Sequence, residues 1–334
     1  MKKFTYFAFA FILGISIMLM GCSCSKKDNV IRVNEVTHSI FYAPLYVAIN
    51  NGYFEDENIS IELTNGGGSN VSMTALISGS ADVALLGPET AVFVASQGKS
   101  DMPKIFGQLT KRDGSFLIGR TPNENFSWSD LEGKEIIAGR RGGSPAMTLE
   151  YALRQNGLID GENVTLNYDV EFNNTTSAFQ GGTADYVTAF EPAASQLVAA
   201  GNAYILASVG QEAGEVPFTC FMANESYINK NRDKVKGFLR AVMKGYNYIV
   251  TAPIDDVVNA LAPSFDTTSK SDIKKCIEAY VNIDAWMSTP VMSESAYNRL
   301  LTIMTQAGEL TTNVNFNSIV DNSIANELVN ELKK

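Results

Sequence analysis

Gly79-Ser80-Ala81-Asp82-Val83-Ala84-Leu85-Leu86-Gly87-Pro88-Glu89 decides the fold, because the chain repeats its pattern. Gly182-Thr183-Ala184-Asp185-Tyr186-Val187-Thr188-Ala189-Phe190-Glu191-Pro192 carries the same order of residue types, with Asp185 standing 103 positions after Asp82. A helical pattern precedes each copy, over 71–78 and 177–180. The glycine suits the position just past a helix end, where φ is positive. Four or five mostly apolar residues then describe a strand buried on both faces, as in a parallel sheet. A proline beside a glutamate opens the next helix. Two copies of helix, strand and helix start predict two similar α/β lobes.

Outward from the first copy, 31–36 reads as the first strand, 37–43 as a loop, 44–50 as a helix and 59–63 as a second strand. Gly66-Gly67-Gly68 precedes a helix capped by Ser69 or Asn70, and 105–110 and 115–119 read as strands. Past the strand 136–138, a glycine-rich loop meets Ser144 as a helix cap and Pro145 at the first helical position. Patterns at 164–172 and 204–209 complete that lobe, and 217–222 carries the chain back. From 230 onward the apolar spacing is helical. The first lobe is therefore expected over 31–118 and 220–334, the second over 119–219. The predicted class is α/β: two lobes of mixed sheets flanked by helices, with two crossing strands as a hinge.

The N-terminus is read differently. Lys2 and Lys3, an apolar run over 4–20 and then Leu19-Met20-Gly21-Cys22 describe a secretory signal over 1–21 with a lipid anchor on Cys22. Residues 22–30 read as a tether. Two of the 26 basic residues fall in 1–21 and no acid does, so removing that segment moves the net charge from −10 to −12. Such a surface argues against nucleic acid. No second apolar run approaches the roughly 18 residues needed to span a bilayer. Cys220 and Cys276 are the two cysteines in the body, too few for a disulfide framework, and read as small buried hydrophobes. No Cys/His metal spacing exists, and no cofactor is expected.

In open α/β sheets a ligand lies beyond the carboxyl ends of the strands. Thr37, His38, Phe41 and Tyr42 offer hydroxyl, imidazole and aromatic groups there; His38 also reads as a helix-start residue, and Phe41 and Tyr42 as core. Gly67 and Ser69 lie where backbone amides precede a helix, a setting that favours hydrogen-bond acceptors. Arg140, Gly143 and Ser144 form a third loop, without the P-loop pattern. Asn173 completes the candidate set with the pair Glu89 and Glu191. Two carboxylates converging from opposite lobes suit an amine, an aminopyrimidine or a cation, although an acid near a helix start is also favourable for dipole reasons alone. The single histidine has no nucleophile in a recognisable turn, so no catalytic set emerges.

The run Thr37-His38-Ser39-Ile40-Phe41-Tyr42-Ala43-Pro44-Leu45-Tyr46-Val47-Ala48, followed by Gly52-Tyr53-Phe54 and by Ala75-Leu76 through Asp82, resembles solute-binding proteins of ABC importers. Gly142-Gly143-Ser144-Pro145 with Leu149 through Leu158, and Trp286, Pro290 and Gly308, are similar to the same branch, which includes binders of aliphatic sulfonates, nitrate or taurine, and thiamine precursors. The resemblance covers about residues 31–330. It implies a two-lobed, type II periplasmic-binding fold, capture of a small molecule by a monomer and its delivery to a membrane permease driven by an ATPase. Pyrimidine-precursor members stack the ring between aromatics and meet its amino groups with a carboxylate, which Phe41 or Tyr42 with Glu191 would match. Sulfonate members use hydroxyls, amides and a basic group, which Ser69, Ser144 and Arg140 would match. A fungal pyrimidine synthase in the same group depends on a cysteine-rich iron motif that this chain lacks, so the resemblance implies no catalysis.

Overall fold

The computed structural model describes residues 29–97, 101–171 and 174–333. The expected signal segment, the anchor Cys22 and Asn173 lie outside them. Among the described residues, ten strands make two five-stranded sheets. The first contains β1 (Val30–Glu35), β2 (Ser60–Asn65), β3 (Val83–Leu86), β4 (Pro103–Thr110) and β10 (Thr219–Asn224), in the order β2-β1-β3-β10-β4. The second contains β5 (Ser115–Gly119), β6 (Glu135–Ile137), β7 (Thr165–Asn167), β8 (Tyr186–Phe190) and β9 (Tyr204–Ser208), in the order β7-β6-β8-β5-β9.

The internal repeat is visible position by position. The repeated strands β3 and β8 occupy the centres of their sheets. Each runs parallel to one neighbour, β1 or β6, and antiparallel to the strand that follows a chain crossing, β10 or β5. The repeated aspartates do the same work in both. Asp82 accepts from the Arg32 amide at 2.9 Å and Asp185 from the Glu135 amide at 3.2 Å, while each aspartate amide returns a bond to the same residue's carbonyl. Thus each aspartate ties the start of its strand to the start of its parallel neighbour. Gly79 and Gly182, at φ 75° and 91°, turn the preceding helices, α2 (Ser69–Ile77) and α5 (Thr175–Gln180), into these strands. The proline of each copy is the N-cap of the next helix, α3 (Glu89–Ala95) or α6 (Ala193–Ala199).

The chain crosses between sheets over 111–114 and 209–218. The first crossing ends earlier than the sequence suggested: β5 belongs to the second sheet, so residues 115–118 are part of the second lobe rather than the first. One apolar core runs from the first helix, α1 (Ala43–Asn50), through Phe41 and Phe218 into Phe116, Ile137 and Val187 of the second sheet. Separate cores fill the outer faces, one under the C-terminal helices and one around Trp128 and α4 (Ser144–Gln155). Cys220 and Cys276 are buried, unpaired thiols. No helix among the described residues is long and apolar enough to cross a membrane.

The two crossings meet at Gly210, where an added Cβ would overlap the carbonyl of Asp113. Asp113 is itself fully buried there. Its Oδ1 accepts from the Ser115 amide at 2.7 Å, Oδ2 has no partner among the described residues, and burial pushes the carboxyl up to about 7. A raised carboxyl pKa favours the protonated folded state, so this contribution to stability is full below about pH 4 and is lost as pH rises toward 7, with roughly 4 kcal/mol as its ceiling. Asp113→Asn is accordingly expected to flatten the fall in unfolding free energy between pH 4 and 7. Urea unfolding across that range checks it, and parallel profiles for parent and variant would contradict it.

Candidate functional site

A cavity of about 470 Å³ opens between the two sheets at the carboxyl ends of β1, β3, β6 and β8. That volume suits a small organic molecule. Every candidate residue within the described segments lines it, from both lobes. They do not all present the groups the sequence suggested.

The floor is aromatic. Phe41 is buried, with ring centroids 5.6 Å from Phe190, 6.0 Å from Phe218 and 5.0 Å from Tyr280, and its carbonyl accepts from Trp286 Nε1 at 2.8 Å. Gly114, in the first crossing, leaves room for that ring: a Cβ there would overlap it. Tyr42 is also buried, and its hydroxyl, hydrogen-bonded to Thr219, is pushed well up by burial. Both residues are therefore core and cavity wall at once.

Two buried carboxyls flank this floor. Glu89, 1% exposed, starts α3 from the first lobe, and Ser144 Oγ of the second lobe donates to its Oε2 at 2.5 Å. Burial pushes the Glu89 carboxyl up, against the opposing pull of Ser144 and of the Arg140 charge. Ser144 is thus no helix cap; Gly143 takes the cap position, and the serine hydroxyl spans the cleft instead. Glu191, 3% exposed, turns back onto α6, accepting from the Ser195 amide at 2.9 Å and hydroxyl at 2.8 Å. Its carboxyl is also pushed up by burial, against Ser195. Its backbone amide donates to Tyr280 Oη at 3.0 Å, so a C-terminal helix, Lys270–Asn282, fixes the second lobe's carboxylate.

The loops contribute less than the glycines promised. Gly67 N–H is taken by Asn65 Oδ1 at 2.8 Å and Gly66 N–H by the Glu35 carbonyl at 2.8 Å. Gly143 N–H donates to the Arg140 carbonyl at 3.2 Å. The amides left over stand at the starts of α2 and α4, at Ser69 and Ser144. Arg140 is exposed at the mouth and forms no ion pair among the described residues. Arg141 lies elsewhere, its guanidinium 3.8 Å from the centroid of the Tyr168 ring. Thr37 is half-buried on the wall. His38 is not a free imidazole: Nδ1 lies 2.9 Å from Glu35 Oε1 and Nε2 2.7 Å from the Ser264 carbonyl oxygen.

Sequence reasoning missed Thr188, Phe190, Phe218, Thr219 and the acid Glu171 on the wall, and Glu35, which lies behind the wall against His38 and Tyr46. Thr188 and Phe190 stand inside the quoted repeat, where placing Glu191 at the strand end could have flagged them. Phe218 ends the second crossing and Thr219 opens β10, a junction that has no local signature.

Two α/β lobes joined by two crossings around a cavity at the strand ends form the architecture of periplasmic binding proteins. A family model described as NMT1/THI5 like matches residues 40–255, and the chain belongs to that family. It is 36% identical over 333 residues to YtlA of Bacillus subtilis (strain 168), a match spanning 99% of this chain and 100% of that protein. The periplasmic aliphatic sulphonate binding protein SsuA of Escherichia coli matches with a TM-score of 0.70 at 18% identity, over 87% of this chain and 97% of that one. A ligand binding component of an ABC-type import system from Staphylococcus aureus matches with a TM-score of 0.71 at 15% identity, over 90% of this chain and 99% of that one. At these identities both structures share the fold.

Ser144→Ala removes the donor that Glu89 meets across the cleft. Leaving a buried carboxyl with one bond fewer is expected to cost about 1–3 kcal/mol, measurable by urea unfolding at pH 7. A variant as stable as the parent would contradict a link between the lobes through this bond.

Proposed function

We propose that this protein is the extracytoplasmic solute-binding component of an ABC importer, held at the membrane by lipid on Cys22, and that its guest is thiamine or a thiamine-type aminopyrimidine. The observation that carries the guest is the pairing of Glu89 and Glu191. They sit at matching ends of the repeated strands, one per lobe, on a cavity floored by Phe41 and Tyr42. Aromatic faces attract a flat cationic ring, and carboxylates accept from its amino groups. The name of YtlA as a binding protein and the import system to which the Staphylococcus aureus structure belongs support the wider reading.

Function by this reading is closure. A guest that touches both lobes stabilises the closed arrangement by its differential affinity for it, and a permease recognises that arrangement. The guest leaves chemically unaltered. A second reading has one observation in its favour: Arg140 stands at the mouth without an ion pair among the described residues, with Ser69 and Ser144 at the starts of α2 and α4 on the same wall. Those groups suit an alkanesulfonate or similar small anion, the ligand class in the name of SsuA.

Calorimetry with thiamine, its hydroxymethyl pyrimidine and taurine separates the two. Thiamine or the pyrimidine is expected to bind, and Glu191→Gln to weaken that binding by roughly 1–3 kcal/mol through loss of a charge-assisted hydrogen bond. Tight taurine binding without a thiamine signal would favour the anion reading. For the anchor, Cys22→Ser is expected to move the protein from the membrane fraction to the soluble fraction on cell fractionation; retention in the membrane would remove Cys22 as the attachment point.

A further inference from the structure

We propose that His38 is a positioning residue whose protonated imidazole pins the first cavity loop, residues 37–42, to the C-terminal helical region, and that the loop loosens when His38 gives up its proton. The geometry is that of a bridged cation. Nδ1 lies 2.9 Å from Glu35 Oε1, and Nε2 lies 2.7 Å from the Ser264 carbonyl oxygen. Both partners accept and neither donates. A neutral imidazole carries one N–H, so either tautomer leaves one ring lone pair facing an acceptor. Only the imidazolium satisfies both contacts.

The groups packed against the ring reinforce the cation. Glu35 comes from the end of β1, where it is buried. Tyr46, on α1, lies 3.0 Å from Nδ1, but its hydroxyl proton goes to Glu35 Oε2, so it offers no hydrogen to the ring. Phe265 lies against the imidazole at 4.7 Å between centroids, and Tyr46 meets it edge-on at 4.9 Å. Asp266 adds a second negative charge. The bond to Glu35 is the main cause that holds the His38 pKa above its ordinary value, opposed by partial burial. The Ser264 end of the bridge is itself fixed, because Asn50 Nδ2 donates to the Ala260 carbonyl at 2.8 Å and to Ser264 Oγ at 2.9 Å.

His38 thereby joins β1 to a turn 226 residues away in sequence, through the loop that supplies Phe41 and Tyr42 to the cavity floor. The importance of that loop for capture rests on the proposed reading of the cavity. The bridge itself does not, and its test uses no guest, so failure of thiamine to bind leaves it standing.

His38 is the single histidine of the chain, so its ring C–H resonances in NMR are unambiguous. Their titration midpoint is expected above the ordinary value of about 6.5. Hydrogen-exchange protection factors, which divide out intrinsic pH dependence, are then read at the Phe41, Tyr42 and Ala43 amides, all bonded within the loop. Protection should fall as pH rises through the same midpoint, by at most about tenfold for each unit by which that midpoint exceeds 6.5. Amides of the helix Arg232–Thr251 serve as the control and should not follow. In His38→Gln the loop should be poorly protected at every pH. Loop protection unchanged through the His38 transition would overturn the proposal, and so would a midpoint at or below 6.5. The parent protein alone decides the question should the variant fail to fold.

Discussion

The contact of Gly210 with the Asp113 backbone is the constraint from which the cleft follows. It joins the two places where the chain passes from one sheet to the other. Both crossings are thus tied at one point between the sheets. Their carboxyl ends, where the repeated strands deliver Glu89 and Glu191, are thereby turned toward each other. An arrangement of this kind concentrates motion in a few residues and leaves the lobes themselves rigid.

Above that point the chain spends its apolar surface on the hinge side and its carboxyls on the guest side. Phe41, Phe190 and Phe218 form an aromatic floor, backed by Tyr280. Such a floor excludes water, and in a medium of low polarity a carboxyl is costly unless donors meet it. Each one is met from elsewhere in the chain or from its own helix: Glu89 by Ser144 of the facing lobe, Glu191 by Ser195, Glu35 by Tyr46 and His38. The carboxyls are therefore held in place before any guest arrives, which lowers the ordering cost of binding.

The architecture was legible because its two halves repeat a local rule. A glycine at a helix end, an aspartate tying neighbouring strands and a proline opening the next helix are all matters of a few consecutive residues, and both copies carry them. The set of cavity residues was legible for the same reason, since strand ends are local. The partners of those residues were not. Ser144 was read as a helix cap because serine before proline has that local meaning, whereas its hydroxyl answers to a glutamate 55 residues earlier. Glu35 was read as strand, and its importance appears only once Tyr46 and His38 converge on it. The glycine loop was read as a cradle of free amides, and Asn65 takes one of them through a turn that pattern reasoning did not anticipate. The boundary at 118 failed because β5 looks like any buried strand, and nothing local says which sheet it joins.

The claim that most needs testing is that the two lobes shut around a small cationic guest and leave it unchanged. Solution scattering with and without saturating thiamine tests it most directly, with recovery of the ligand afterwards for mass measurement. The expected result is a smaller radius of gyration in the presence of thiamine and recovery of intact thiamine. An unchanged radius, or a ligand recovered with altered mass, would contradict it.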